Sequence, residues 1–308
     1  MRIAFVGLPL AALLLRADGH DVVWAGICRK GSIGTRRLTL GIGAENVKLV
    51  PDLARVTAEV RAHAPDLVVS WFWTRRVPAS FRALAPLGAI GVHPSLLPRH
   101  RGPDPYFWAI DAGDDVTGVT AHELEDEYDT GAILGRRELA IDPSWSAWRL
   151  AKRLDRPSLA LLRDTVRAYA NGTPPPRIAQ DGSLATEAPQ PTDDDLEIRW
   201  TEDAEAIARR VRAASPWPGA FTAIGELDVT LTEVRVASHD PRSYAALAPG
   251  EAVVRADGVA IVRAGDVSVE LLRGRLEEGD EDRDLDAGDL AALVGPEPDV
   301  GASGKGTS

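Results

Sequence analysis

Residues 88–108 read GAIGVHPSLLPRHRGPDPYFW, and the fold can be predicted outward from them. An apolar run, residues 89–92, ends at His93 and is followed by a loop rich in Pro, Gly and Arg. This order is typical of a buried strand that carries its last residue to the carboxyl edge of an open α/β sheet, where such folds bind their ligands. His93 is therefore the first candidate functional residue.

Short apolar strands alternate with helical patterns around this stretch. The alternation predicts an α/β fold, a Rossmann-like domain with a mostly parallel sheet. A long amphipathic pattern over residues 145–172 predicts the closing helix, so the catalytic domain is expected to span residues 1–172. Residues 29–46, rich in Gly and basic residues, predict a surface loop. The strands are expected at residues 2–6, 21–27, 47–50, 66–71, 89–92, 118–124 and 133–141.

The second half of the chain differs in composition. Residues 173–199 are rich in Pro and acidic residues and predict a linker. A helix at residues 204–214, capped by Thr201, and five short strands predict a small OB-like β-barrel domain over residues 200–275. Residues 276–308 are acidic and then rich in Gly and Ser, which predicts a flexible tail with one short helix. The strands are expected at residues 220–224, 227–236, 251–255, 258–263 and 267–272.

Charge and cysteine content limit the partners. The 308 residues carry 35 Lys and Arg against 46 Asp and Glu, a net charge of −11, which disfavours a nucleic-acid partner. Cys28 is the only cysteine, so neither a disulfide framework nor a thiolate metal site is expected. No apolar run reaches membrane-spanning length, and Gly7-Leu8-Pro9 divides the N-terminal apolar run into a strand and a helix. We therefore expect a cytoplasmic protein with no metal and no membrane partner.

His93 and Asp129 form the candidate catalytic pair. Each follows a predicted strand at the same edge of the sheet, so the turn at residues 125–131 can present Asp129 to the imidazole. A carboxylate beside a histidine fixes its tautomer and suits it to proton transfer near neutral pH. From these residues alone, a purely structural histidine remains an open alternative.

Four motifs closely resemble the formyltransferase family. They are GVHPSLLPRHRG at 91–102, TGVTAH at 117–122, DTGAIL at 129–134 and PWPGA at 216–220. The resemblance covers residues 1 to about 275. The family includes methionyl-tRNA, glycinamide ribonucleotide and amino-sugar formyltransferases, and the resemblance implies 10-formyltetrahydrofolate as cofactor.

The resemblance also implies roles for individual residues. The family's catalytic His and Asp fall on His93 and Asp129, and residues 72–77 form the folate-binding edge, with the turn at 124–129 closing over the pteridine. The backbone of Arg75 and Val77 is expected to contact the pterin, and Trp71 and Trp73 to form stacking walls. His122 and Ser95 are expected as structural supports and His100 as a surface residue. The cofactor-binding candidates are Phe72, Trp73, Arg75, Arg76, Val77, Leu124, Glu125 and Glu127.

Gly91 departs from the family pattern. The family has Asn at this place in Asn-x-His-x-Ser-Leu-Leu-Pro, and its amide donates a hydrogen bond to the formyl oxygen. Losing one such donor costs about 100- to 1000-fold in rate. Glu127 is a second departure, because the family usually has Gly there, and a residue with a Cβ can change the folate pocket.

Three hypotheses follow from the missing amide. The first is a formyltransferase that obtains its oxyanion donor elsewhere. The second is a one-carbon enzyme that uses 5,10-methylenetetrahydrofolate, which has no formyl oxygen to hold. The third is a non-catalytic protein on the same fold, against which the presence of both His93 and Asp129 argues.

A small-molecule amine is the expected acceptor. Acidic clusters at residues 193–197 and 277–282 disfavour tRNA, which would need a basic surface. Arg99 and Arg101, together with Arg36 and Arg37, are candidates to hold a phosphate or carboxylate of the acceptor. The C-terminal domain leaves a homodimer open.

Overall fold

The computed structural model describes residues 1–238, 244–278 and 281–295, which fall into two compact units. The first unit comprises Met1–Tyr106, Asp115–Asp142 and Arg149–Gln190. The second comprises Phe107–Asp114, Pro143–Trp148 and the described part of Pro191–Ser308.

A seven-stranded sheet forms the centre of the first unit. Its order is β3-β2-β1-β4-β5-β6-β7; the first five strands run parallel, and β6 is antiparallel to both β5 and β7. The expected Rossmann-like, mostly parallel sheet is confirmed. The strands are β1 (Arg2–Gly7), β2 (Asp21–Ile27), β3 (Val47–Leu49), β4 (Leu67–Trp71), β5 (Ala89–His93), β6 (Val116–Glu123) and β7 (Ile133–Ala140).

Helices cover this sheet because its central strands are apolar on both faces. Every residue of β4 and β5 is buried, which is typical of parallel strands between helical layers. Trp24 and Phe81 pack with their rings 5.7 Å apart in a core cluster that also contains Val77. The helices are α1 (Pro9–Ala17), α2 (Thr35–Ile42), α3 (Leu53–Ala62), α4 (Ala79–Arg82), α5 (Pro105–Asp111) and α6 (Ala147–Ala170).

Residues 29–46 were expected to form a surface loop, but Thr35–Ile42 within them form helix α2. Gly34 and Gly43 flank the helix with φ values of +93° and +91°, a backbone region that glycine adopts readily. Leu38 is fully buried and anchors the helix. The glycines that suggested a loop therefore lie mainly at the ends of a helix.

Residues 173–199, expected as a linker, are divided between the two units. Ile178 forms a bridge with Ile133 of β7, and residues up to Gln190 belong to the first unit. Residues 173–190 are therefore not a linker, because backbone pairing holds them to the first unit. Composition does not reveal such pairing.

The second unit contains a six-stranded antiparallel sheet of order β10-β11-β12-β9-β8, with β13 paired to β12. This confirms the expected β domain, whereas its OB-like closure stays a prediction. Asp203, not Thr201, is the N-cap residue of α8. The elements are α7 (Asp193–Leu196), α8 (Ala204–Ala214), β8 (Ala220–Ile224), β9 (Leu227–Val236), β10 (Ala252–Val254), β11 (Ala260–Arg263), β12 (Ser268–Glu278), β13 (Glu281–Leu285) and α9 (Ala287–Val294).

The sheet continues beyond residue 275, where a flexible tail was expected. Strand β12 pairs with β13, with Gly274 opposite Leu285. Leu276 and Leu285 are buried, so a minority of apolar residues holds an otherwise acidic hairpin. Residues 296–308 of the expected tail lie outside the described residues. Among the helices that the structure describes, none is long and apolar enough to cross a membrane.

Candidate active site

A cavity of about 300 Å³ lies at the carboxyl ends of β4 and β5. Four segments line it: the loop after β4, the end of β5, residues 102–106 and the turn after β6. All catalytic and cofactor-binding candidates from the sequence line this one cavity. They are Phe72, Trp73, Arg75, Arg76, Val77, Gly91, His93, Leu124, Glu125, Glu127 and Asp129.

His93 is the last residue of β5 and is 7% exposed. Its Nε2 lies 2.8 Å from the backbone oxygen of His100. Because a carbonyl oxygen only accepts, Nε2 carries the proton, and Nδ1 is the nitrogen that can accept another. The His100 carbonyl thus fixes the tautomer, a role that the sequence had assigned to Asp129.

Asp129 faces the other side of the His93 ring. Its Oδ2 lies 3.4 Å from His93 Nδ1 and accepts a hydrogen bond of 3.0 Å from the backbone N–H of Gly102. Its φ of +56° is a turn conformation that Asp tolerates better than most residues. The turn therefore places a carboxylate where it can stabilise a protonated His93.

Gln180 and Arg101 hold this turn from behind. Gln180 Nε2 donates to the backbone oxygens of Asp129 and Gly131 at 2.7 and 2.8 Å. Gln180 Oε1 accepts from Arg101 Nη2 at 2.7 Å. Arg101 and Arg99 do not line the cavity, so the expected acceptor-binding arginines lie elsewhere. Nothing in the sequence pointed to Gln180, which is 51 residues from Asp129.

His122 lies near the other carboxylate oxygen of Asp129. Its Nδ1 donates to the backbone oxygen of Glu123 at 2.8 Å, and its Nε2 lies 3.5 Å from Asp129 Oδ1. Burial lowers the pKa of His122, and the nearby Asp129 carboxylate opposes this effect. Asp129 is therefore set between two imidazoles.

Gly91 is covered by a leucine. A Cβ built on Gly91 would lie 3.0 Å from Leu124 Cδ2 and 3.7 Å from Ser70 Cβ. No described residue that lines the cavity has an amide side chain. The cavity wall at the place of the expected amide is therefore formed partly by an aliphatic group.

Comparison with known proteins identifies the family. The formyl transferase model matches residues 48–166, and the formyl transferase C-terminal domain model matches residues 191–283. The chain is 34% identical over 295 residues to the methionyl-tRNA formyltransferase of Anaeromyxobacter sp. (strain K), covering 90% of this chain and 93% of that protein. The chain belongs to the formyltransferase family. It is a one-carbon transferase, and 10-formyltetrahydrofolate is the cofactor of this family.

Two solved structures with bound folates share the fold. The N-formyltransferase from Helicobacter canadensis, in complex with folinic acid and dTDP-3-aminofucose, has a TM-score of 0.66 at 14% identity, covering 87% of this chain and 98% of that chain. HypX from Aquifex aeolicus, in complex with tetrahydrofolic acid, has a TM-score of 0.62 at 20% identity and 96% coverage of this chain. This formyltransferase spans 48% of the HypX chain.

Two tryptophans at the end of β4 have different surroundings in this formyltransferase. Trp71 is buried outside the cavity wall and donates its Nε1–H to Ser158 at 2.8 Å, so it is not a stacking wall. Trp73 lines the cavity, and its buried Nε1 has no hydrogen-bond partner among the described residues. The Arg75 guanidinium lies 4.7 Å from the Trp73 ring centroid.

His100 and Ser95 lie in the loop after His93. His100 is 4% exposed rather than on the surface, and its N–H donates to Thr186 Oγ1 at 2.8 Å. This bond holds the carbonyl that binds His93. Ser95 donates to the backbone oxygen of Arg99 at 2.6 Å, as expected of a supporting residue.

Arg82 joins the two segments expected to bind folate. It donates to the backbone oxygens of Val77 at 3.1 Å and Leu124 at 2.9 Å, and it pairs with Asp126. Farther out, Arg76 lies 3.3 Å from Glu127, and both side chains are exposed. No sequence motif indicated Arg82, because two of its partners are backbone oxygens and Leu124 lies 42 residues away in the chain.

Proposed function

We propose that this chain transfers a formyl group from 10-formyltetrahydrofolate to the amine of a small-molecule acceptor. The proposal rests on the two contacts of the His93 ring: Nε2 donates to the His100 carbonyl, and Nδ1 faces Asp129. When bound, 10-formyltetrahydrofolate supplies an activated formyl carbon. The chain's own residues bind the reactants and move the proton.

The cavity fits a folate. Its volume of about 300 Å³ lies at the lower end of the range of small-molecule pockets. The buried Trp73 N–H needs an acceptor atom, which a pterin or its amide-linked tail provides. The proposal places the pterin along the loop after β4 and under the turn at 124–129. The residues holding it would be Phe72, Trp73, Arg75, Arg76, Val77, Leu124, Glu125 and Glu127.

His93 acts as the proton-transfer residue in this proposal. As the acceptor nitrogen bonds to the formyl carbon, His93 Nδ1 takes the proton that the amine loses. Asp129 stabilises the resulting imidazolium, while the Gly102 N–H keeps the carboxylate in place. His93 would then give this proton to the folate nitrogen that releases the formyl group, so the ring returns to its neutral form.

A small amine suits the charge of the chain better than tRNA does. Residues 191–308 hold 12 Lys and Arg against 25 Asp and Glu, and a tRNA-binding surface draws on clustered basic residues. Arg101 is bonded to Gln180, so we assign it to holding the Asp129 turn rather than to the acceptor. The free Cys28 is compatible with a reducing compartment, and we propose a cytoplasmic location.

Transfer at the methylene level is the second candidate. Leu124 covers Gly91 with a methyl group where the resemblance leads one to expect an amide. A 5,10-methylenetetrahydrofolate donor has no formyl oxygen, so an aliphatic wall beside Gly91 would slow its reaction little.

The test is incubation with each folate donor and a panel of amines that includes methionyl-tRNA, followed by product mass. Formylated small amines support the proposal. Methylene-bridged products replace it with the second candidate, and formylated methionyl-tRNA overturns the choice of acceptor. Gly91→Asn in a Leu124→Ala background adds a control, because a restored amide should raise the rate only with a formyl donor.

A further inference from the structure

We infer that the Ser70 hydroxyl is the side-chain donor that binds the formyl oxygen in place of the absent amide at Gly91. This inference rests on the proposed function. It assigns a catalytic contact to a residue that no sequence motif singled out.

The strand register places Ser70 next to the missing side chain. Ser70 of β4 pairs with Gly91 of β5, and Gly91 pairs with His122 of β6. Residues paired in register project to the same face of a sheet, as do residues two apart on one strand. Ser70, Gly91, His93 and His122 thus share one face, and all four line the cavity.

The distance between positions 70 and 91 allows the Ser70 hydroxyl to take the place of a side chain at position 91. A Cβ at Gly91 would lie 3.7 Å from Ser70 Cβ, so a group on Ser70 lies beside the space that a side chain at position 91 would enter. The absence of a side chain at Gly91 leaves this space open on the Ser70 side, while Leu124 closes it on another side. Gly91 therefore leaves room for the formyl oxygen, and Ser70 supplies the hydroxyl that can donate a hydrogen bond to it.

The Ser70 hydroxyl is available for a ligand. Ser70 is 8% exposed and lines the cavity, and its hydroxyl makes no hydrogen bond within the described ranges of the chain. Other serines near the site are engaged: Ser95 donates to the Arg99 backbone oxygen at 2.6 Å, and Ser158 accepts from Trp71 at 2.8 Å. A hydroxyl that lines a cavity and has no partner in the protein can donate its proton to a ligand atom bound there.

Other hydroxyls on the wall are less well placed. Tyr106 has a buried hydroxyl without a partner among the described residues, but it lies on α5 rather than on the strand beside Gly91. Thr74 and Tyr128 lie on the exposed loop and turn. Ser70 alone among these four hydroxyl-bearing residues belongs to a strand of the sheet that carries His93.

A hydroxyl aimed at the formyl oxygen strengthens its hydrogen bond as negative charge develops there. Ser70 keeps its own proton throughout, since the amine proton goes to His93. Replacing Ser70 with Ala should therefore lower kcat about 100-fold, the lower end of the effect of removing one such donor. The dissociation constant of a bound folate should change by less than about threefold, because a neutral ground-state hydrogen bond contributes little.

The test uses isotope-edited infrared spectra of 10-formyl-5,8-dideazafolate, labelled with ¹³C in the formyl group and bound to the full chain. We expect the formyl carbonyl band to lie at lower wavenumber in the wild type than in Ser70→Ala, at equal saturation. Ser268→Ala is the matched control: it removes a buried hydroxyl of β12 that also has no partner among the described residues but lies outside the cavity, and it should leave the band unchanged. Formyl transfer to hydroxylamine, measured as formohydroxamate, gives kcat for the same variants.

The outcomes separate this inference from the proposed function. An unchanged band and unchanged kcat in Ser70→Ala, with a wild type that binds the probe and forms formohydroxamate, overturn the role of Ser70 alone. A band shift in Tyr106→Phe but not in Ser70→Ala moves the role to Tyr106 and also overturns it. A wild type that does not bind the labelled folate overturns the proposed function and this inference together. An equal fall in thermal stability and kcat in Ser70→Ala, without a band shift, shows a structural role.

Discussion

His93 is held at both ring nitrogens by groups of different character. Nε2 meets a backbone carbonyl that cannot change its charge, and Nδ1 meets a carboxylate that stabilises a proton. The ring can therefore gain and lose a proton at one nitrogen without turning. In the proposed reaction, this arrangement would let His93 transfer protons repeatedly.

Asp129→Asn tests that division of roles. An amide N–H placed at Nδ1 would occupy its lone pair, so we expect kcat for formyl transfer to fall about 100- to 10,000-fold. Folinic acid affinity, measured by titration calorimetry, should change little. Asp164→Asn, which alters a surface carboxylate paired with Arg167 at 2.9 Å, is the control and should keep full activity. Equal rates for Asp129→Asn and wild type would contradict the role of the carboxylate.

The burial of His122 predicts how the free energy of unfolding depends on pH. Its pKa is lowered by burial, so the unfolded chain binds this proton more strongly than the folded chain does. The stability contribution of neutral His122 is complete above the unfolded pKa of about 6.5 and is lost progressively as the pH falls below it. In His122→Gln, the free energy of unfolding should therefore depend less on pH between 7 and 5. Parallel urea-unfolding curves at each pH measure this, and identical slopes for both proteins would refute it.

At the scale of elements, β4 and β5 with their following loops could be predicted from the sequence. Both strands are rich in apolar residues, and the sequence alone indicates that His93 ends β5. Helix α2 and strand β13 could not be predicted from the sequence. The glycines at the ends of α2 and the acidic residues of the β12–β13 hairpin are residue types that are common in loops. The cofactor-binding candidates line the cavity, whereas Arg82, Gln180 and the His100 carbonyl act through backbone bonds that leave no pattern in side chains.

Arg82 sets the spacing of the two segments over the cavity. Because it bonds the Val77 and Leu124 backbones, Arg82→Met should weaken folinic acid binding about tenfold, which is about 1.4 kcal/mol. Arg210→Met is a matched control: the Arg210 side chain is 15% exposed, against 16% for Arg82, and it bonds Asp111 at 2.9 Å, away from the cavity. Both variants should lose stability in urea, but only Arg82→Met should lose affinity. Equal loss of affinity in both would assign the effect to general destabilisation.

Helix α6 is attached to the end of β4 by one buried hydrogen bond. Trp71 and Ser158 are each 3% exposed, and their bond is 2.8 Å long. Ser158→Ala leaves the indole N–H buried without a partner, so the free energy of unfolding should fall by about 1–3 kcal/mol. Ser70→Ala provides the comparison, because its hydroxyl has no partner in the described structure and its loss should change stability little. Urea unfolding measures both, and equal losses would contradict the assignment.

At the scale of the whole molecule, charge is distributed unevenly along the chain. Residues 1–190 hold 23 Lys and Arg against 21 Asp and Glu, whereas residues 191–308 hold 12 against 25. The acidic excess therefore belongs to the part of the chain that contains the antiparallel sheet. On this charge balance, the small-molecule proposal predicts that a polyanion is repelled by that part of the chain.

We accordingly expect no measurable binding of methionyl-tRNA at 150 mM salt, with a dissociation constant weaker than about 100 µM. Fluorescence anisotropy of labelled tRNA over a salt series provides the measurement, with an Anaeromyxobacter methionyl-tRNA formyltransferase as positive control. Submicromolar binding with a steep salt dependence would contradict the small-molecule acceptor.

The contact between Leu124 and the space above Gly91 also limits how the site can be redesigned. A Cβ at position 91 would lie 3.0 Å from the Leu124 methyl group, so the end of Leu124 must move by a few tenths of an ångström to admit one. Laboratory selection for an amide at position 91 should therefore also enrich smaller residues at position 124, so that the two positions change together.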